Sequence, residues 1–229
     1  MLQPFGPNIW IVDGSDVAVA GFRYPTRAAV IRLSAGGLFI WSPVHLTDKL
    51  RTELDALGTV RHIVAPNSLH HLFLHEWKQA FPNARLYAPP RLQKTRPDLA
   101  FDAELDDESG TEWSGEIESV VMHGNLITAE VVFFHKASGT ALFTDLLQQI
   151  PAGHITGWRR LVAKLDLMVE PEPSVPRKFR IAFTNRGAAR NSLKRILDWP
   201  VEKVLMAHGA PVERDGLAFI NRSFKWLKP

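Results

Sequence analysis

Apolar residues fall in short runs rich in β-branched members and broken by turn residues, a pattern that predicts strands. Ile9 to Val12, Val17 to Ala20 and Ala28 to Leu33 are the first three runs, with Asp13-Gly14-Ser15 as a hairpin signal between the first two. Ala35-Gly36-Gly37 turns the chain into Leu38 to Trp41, and Ser42-Pro43 ends that strand. The period then lengthens. Leu46, Leu50, Leu54 and Leu57 recur at helical spacing, with Thr47 as the cap. Val60 to Ala65 reads as a buried strand stopped by Pro66, which cannot donate to a sheet ladder. Asn67 or Ser68 then caps a predicted helix whose inward stripe is Leu69, Leu72, Phe73 and Trp77. Pro82 ends it, Ala84 to Ala88 is a strand, and Pro89-Pro90 opens a loop with a short helix from Arg91 to Thr95.

The second half repeats the alternation without an internal repeat. Residues 98–116 hold eight carboxylates and read as an exposed connection with one short strand. Ile117 to Met122, Glu130 to His135 and Thr140 to Thr144 are strands, the last two joined by a turn at Lys136-Ala137-Ser138-Gly139. Trp158 to Met168 is helical. Glu170 to Pro176 is a Pro-rich break, and further helix runs to Leu197. Val201 to Met206 is the final strand and Leu217 to Trp226 a closing helix. Two such halves predict two sheets packed face to face with helices outside, in a single domain spanning residues 1–229.

Composition narrows the function classes. There is no cysteine, hence no disulfide framework and no thiolate ligand or nucleophile. The net charge of +3 gives little reason to expect a nucleic-acid partner. No apolar run has the length of a membrane span and no secretory signal precedes the first strand, so the expected location is cytoplasmic. Gly-x-Ser-x-Gly, phosphate-loop and dinucleotide patterns are missing, which leaves a serine hydrolase or nucleotide enzyme unsupported. The seven tryptophans read mainly as core or interface anchors.

Three places carry a polar residue just beyond an apolar strand: His70-His71, Asp145 and His208. Strand ends are where open α/β sheets place their chemistry. Imidazole and carboxylate are ligands for zinc or ferrous iron. Plainer readings stand beside this one: surface histidines at a helix start, a helix-capping Asp145, and a turn residue at His208. From Arg177 to Arg195 there are seven basic residues, with Arg186, Arg190 and Lys194 on one helical stripe. The stripe is either a solvated face or an anion clamp for substrate.

The order of parts resembles the metallo-β-lactamase superfamily over roughly residues 8–225: opening hairpins, a strand and His-rich turn, Leu142-Phe143-Thr144-Asp145, and a late His208-Gly209. It looks in particular like a little-characterised branch reading Pro-Asn-x-x-His-His after the strand. The superfamily motif His-x-His-x-Asp-His falls on Pro66 to His71. Pro66 and Ser68 replace its first two histidines, His70 replaces its Asp, and His71 keeps the last histidine. Its middle histidine falls near Leu126, with His123 close but displaced. The resemblance implies an αββα sandwich with one divalent metal, zinc or iron, held by His70, His71, Asp145 and His208. Asp145 would also orient water, with Asn67 and His123 as supporting or oxyanion donors and Arg186 and Arg190 on the substrate. The implied function is metal-dependent hydrolysis of a small anionic substrate. The alternatives are a non-catalytic scaffold for a small molecule or protein and, less supported, a nucleic-acid processing factor.

Overall fold

A computed structural model describes residues 1–107, 111–169 and 174–228. Part of the acidic connection and most of the Pro-rich break therefore lie outside the described residues. Seven strands form the first sheet in sequence order: β1 Gln3–Gly6, β2 Ile9–Val19, β3 Phe22–Arg32, β4 Gly37–Trp41, β5 Thr59–Val64, β6 Arg85–Ala88 and β7 Ala103–Glu104. The second sheet runs β11-β10-β9-β8, from β8 Ile117–Met122, β9 Glu130–His135, β10 Thr140–Gln149 and β11 Lys203–Gly209. Helices α1 Asp48–Leu57, α2 Leu74–Ala80 and α3 Leu92–Thr95 follow strands of the first sheet. After β10 come α4 Trp158–Leu165, α5 Arg177–Ala182 and α6 Arg186–Leu197, and after β11 comes α7 Gly216–Ser223.

Three apolar layers show why this is an αββα sandwich. Phe39, Trp41 and Val64 of the first sheet meet Phe133, Leu142 and Leu205 of the second in the central layer. The alternate residues Leu38, Ile40 and Ile63 pack outward on Leu50, Leu54 and Trp77 of α1 and α2. Phe134, Phe143 and Met206 pack outward on Phe179, Leu193 and Ile220 of α5 to α7. Strands covered on both faces need continuous apolar runs, as the parallel pairs β4–β5 and β10–β11 have.

Two local expectations are overturned. Asp13-Gly14-Ser15 is no turn: β2 continues through it with a register shift between Gly14 and Val17. A Cβ at Gly14 would lie 2.7 Å from Val44 Cβ, so the glycine serves a close approach. The hairpin instead turns at Ala20 and Gly21, both at positive φ (50° and 79°), as a two-residue turn between twisted strands requires. The second correction concerns residues 68–73, which are turns; α2 begins only at Leu74. Leu69 and Leu72 are 45 and 56% exposed and do not form an inward stripe. Asn67 spends its cap on the turn itself, its Oδ1 accepting from Leu69 N at 2.8 Å and His70 N at 2.9 Å. No helix among the described residues is long and apolar enough to cross a membrane.

Candidate metal centre

The turn after β5 carries His70, while β10 and β11 carry Asp145 and His208. Parallel pairing of β10 with β11, and the packing of the two sheets, brings the three side chains together. His70 Nε2 lies 3.1 Å from His208 Nε2 and 3.3 Å from Asp145 Oδ2. His208 Nε2 lies 3.5 Å from Asp145 Oδ1. Donor atoms about 2.0–2.2 Å from a tetrahedral ion are about 3.3–3.6 Å apart, so these separations suit one face of such a shell. One ligand atom from each residue can be chosen so that all lie within 4.8 Å of one another. The donor set of two imidazoles and a carboxylate is one that binds zinc or ferrous iron and leaves a position open.

Each donor is aimed by a partner behind it. His208 Nδ1 lies 2.6 Å from the Pro25 carbonyl, which can only accept, so Nδ1 carries a proton and Nε2 faces the centre. His70 Nδ1 meets Ser42 Oγ at 2.9 Å. Asp145 Oδ2 accepts from Asn67 Nδ2 at 2.7 Å and Oδ1 from Gln148 Nε2 at 3.1 Å. Arg27 reaches across from β3 to donate through Nη1 to the carbonyls of Met206 (3.0 Å) and Gly209, clamping the strand end that bears His208. Gly209 sits at φ 151°, and a Cβ there would meet Gln149 O at 2.4 Å. The His-Gly pair is thus a backbone approach that a side chain would block.

Glu130 explains the local backbone. The β10–β11 register shifts between Phe143 and Gln148, and β10 pairs with β9 only from Thr140 to Leu142. The N–H groups of Thr144, Asp145 and Leu146 donate instead to the Glu130 carboxylate at 2.8, 2.8 and 3.0 Å. A buried carboxylate supplies the acceptors that the interrupted ladder lacks.

Electrostatics favour a cation at the centre. Burial would raise Asp145, but hydrogen bonds from His208 and His70 hold its carboxyl well below the usual range. Burial opposes charge on His208, yet the hydrogen bond and charge of Asp145 prevail and raise its pKa. Burial lowers His70 by more than Asp145 restores. The two histidines are thus shifted in opposite directions around a carboxyl held toward its charged form. Burial, then the charge of Asp145, pushes Glu130 up to about 7 against the backbone donors.

The other expected site residues lie elsewhere. His71 lines the same cavity but turns Nδ1 to Arg96 Nη1 at 2.9 Å, outside the ligand group. Burial and then the Arg96 charge lower its pKa. The two adjacent histidines thus diverge, His70 toward Asp145 and His208 and His71 toward Arg96. His123 Nε2 is held by Asp107 at 2.8 Å on the surface, away from the cavity lining. Arg186 stacks over Trp226 and Arg190 Nε donates to Leu227 O at 2.8 Å. Arg186 and Arg190 of α6 thus contact the C-terminal segment and are not among the residues lining the cavity. Asn67 is in place, fully buried, as a supporting donor to Asp145. Glu130, Ser42, Gln148 and Arg27 were not expected; a lone glutamate opening the apolar run Glu130 to His135 was the one available signal.

Above the three donors is a cavity of about 890 Å³. Val19 and Tyr24 of the β2–β3 hairpin, Leu72, Leu165 and Phe179 form parts of its wall. The Tyr24 ring tilts against His208 with centroids 5.4 Å apart. Its cations on α5 are Arg177 and Lys178.

Three solved structures with this architecture are distant in sequence. A metallo-β-lactamase from Pontibacter korlensis matches with 12% identity over 96% of this chain and 95% of its own, at TM-score 0.64. One from Hirschia baltica matches with 13% identity over 100% and 98%, at TM-score 0.65. The FIM-1 enzyme from Pseudomonas aeruginosa, in its mono-zinc form, matches with 10% identity over 100% and 96%, at TM-score 0.64. No curated protein matches the sequence. The family model described as "Domain of unknown function (DUF4336)" matches residues 7–174. On that shared fold, His70, Asp145 and His208 form a group that could hold a metal ion. The chain thus belongs to the DUF4336 family and has the metallo-β-lactamase fold.

Proposed function

We propose that this protein is a mononuclear metal-dependent hydrolase of a small molecule. His70, Asp145 and His208 hold one divalent ion, zinc first and iron as the other metal suited to this donor set. The observation that carries the reading is the trio of donor separations, 3.1, 3.3 and 3.5 Å, with every donor oriented from behind. An ion bound there supplies a water acidic enough to ionise near neutral pH and an electrophile for a carbonyl or phosphoryl oxygen. Asn67 and Gln148 fix both oxygens of Asp145, so the carboxylate faces the centre in one orientation. The apolar walls would shed water from the reacting bond once an apolar part of the substrate covers them. Arg177 and Lys178, in place of the α6 arginines, offer positive charge to an anionic group of the substrate.

A second reading is a scaffold that binds a small molecule without catalysis. It is favoured by Pro66 and Ser68 at two former ligand positions, and by a cluster already satisfied through the His70–His208 contact. Elemental analysis separates the two. Protein purified without added metal should carry about one equivalent, lost in a His70→Ala/His208→Ala double variant and kept in His71→Ala. A wild type that is metal-free and refuses zinc in titration rejects the hydrolase reading.

A further inference from the structure

The large exposed apolar side chains of this protein are not scattered. Seven of eleven among the described residues line the cavity above the three donors. Ile181, Leu165, Leu72 and Val19 are exposed by 80, 57, 56 and 56% and come from four separate segments. Single exposed hydrophobics are ordinary, whereas a set gathered on one concavity marks a binding surface. Helix α4 makes the point locally. Of its eight residues only Ala163 is buried, and Val162 and Leu165 face the cavity.

The wall chemistry selects the ligand. The side chains named are branched aliphatics, with Met168, Phe22 and Phe179 beside them. They offer no hydrogen-bond partner, so a peptide lying on them would leave its amides unpaired. The charged and imidazole groups of the lining are His70, His71, Asp145 and His208 together with Asp166, Arg177 and Lys178, of which Lys178 and Asp166 pair at 3.6 Å. The Arg177 guanidinium has no hydrogen-bond or ion-pair partner among the described residues. A volume near 890 Å³ is in the upper part of the range for small-molecule sites.

We propose that the cavity binds an amphiphile, the acyl chain of a long-chain ester, with the chain along the walls and the ester carbonyl at the floor. Placement of the labile bond rests on the hydrolase reading; affinity of the chain for the walls does not. In the hydrolysis the acyl C–O bond breaks. Water gives its hydroxyl to the acyl carbon and a proton to the departing alcohol, and the acid formed ionises.

Calorimetric titration with saturated carboxylates from hexanoate to tetradecanoate tests this, on metal-free and zinc-treated protein. Affinity should rise about 3- to 4-fold per methylene until the walls are covered. A Leu165→Glu/Ile181→Glu variant, altered only at exposed positions, should flatten that dependence while keeping the wild-type circular dichroism spectrum. Affinity independent of chain length in folded wild type overturns the proposal, as does an unchanged dependence in the variant. Binding to phosphatidylglycerol vesicles without chain-length dependence for soluble carboxylates overturns it too, and makes the patch a membrane-facing surface. Chain-length dependence in protein that takes up no zinc and cleaves no ester supports the acyl site and removes the hydrolase reading. Zinc uptake with flat chain-length dependence does the reverse.

Discussion

Asn67 and Asp145, 78 positions apart, are joined by a 2.7 Å hydrogen bond from Nδ2 to Oδ2. The same Asn67 side chain receives the backbone N–H of His70 through Oδ1. One fully buried amide thus fixes the turn that bears one donor and the carboxylate that is another. Asn67→Leu leaves the carboxylate and two turn N–H groups short of partners. Unfolding in urea should show a loss of about 2–4 kcal/mol. Zinc affinity should weaken about 10- to 100-fold. Unchanged stability would remove Asn67 from the centre of the site.

Metal should stabilise the folded chain in proportion to its binding. At zinc concentrations about 100-fold above Kd the gain is about 2.7 kcal/mol, visible as a rise in Tm reversed by chelator. His208→Ala and His70→Ala should lose that rise. His71→Ala should keep it, because His71 is turned to Arg96.

Arg27→Met tests the clamp across the sheets. The substitution removes the donor to the Met206 and Gly209 carbonyls and the 2.8 Å ion pair with Asp13. Denaturant unfolding should show about 1–3 kcal/mol of destabilisation. The zinc-induced rise in Tm should shrink with it, since the carbonyls belong to the strand end that carries His208.

Acid sensitivity should come partly from a histidine far from the centre. His62 is buried between the sheets, with Nδ1 3.0 Å from the Tyr87 hydroxyl. Burial, then the charges of Arg85 and Arg61, lowers its pKa to about 4. The unfolded chain, with an ordinary histidine near 6.5, therefore binds more protons between those two values. The His62 contribution to stability is full well above pH 6.5, is lost as pH drops through about 4, and amounts to about 3 kcal/mol. Urea midpoints measured across this range should show the slope in wild type and a reduced one in His62→Gln.

The central strands were legible as short apolar runs, with β4 and β5 covered on both faces and followed by Ser42-Pro43 and Ala65-Pro66. What misled was apolar spacing with a different cause. Leu69 and Leu72 repeat at helical spacing, yet they face a cavity, and periodicity cannot distinguish a core from a cavity wall. Asp13-Gly14-Ser15 has turn composition, but its glycine answers to Val44 and Thr26, distant in sequence. His70, Asp145 and His208 could be singled out as polar residues following apolar runs, although Asp145 and His208 lie within β10 and β11 and not beyond them. The turn of His71 toward Arg96 depends on a partner 25 positions away that no local pattern announces. Glu130 stayed hidden because its role depends on a register shift in another strand. The α6 stripe was read correctly as a stripe, while its destination, Trp226 and Leu227, depends on how the C-terminus folds back.

Asp145 and His208 stand on adjacent parallel strands, and the chain between those strands makes an excursion that includes α4 and α5. The donors rest on framework, whereas Leu165, Arg177 and Ile181 belong to the detour. On the proposed reading, selectivity and reactivity are therefore modular. Grafting a different segment between the two strands is expected to change which molecules the cavity admits and to leave the Asp145 and His208 positions unmoved.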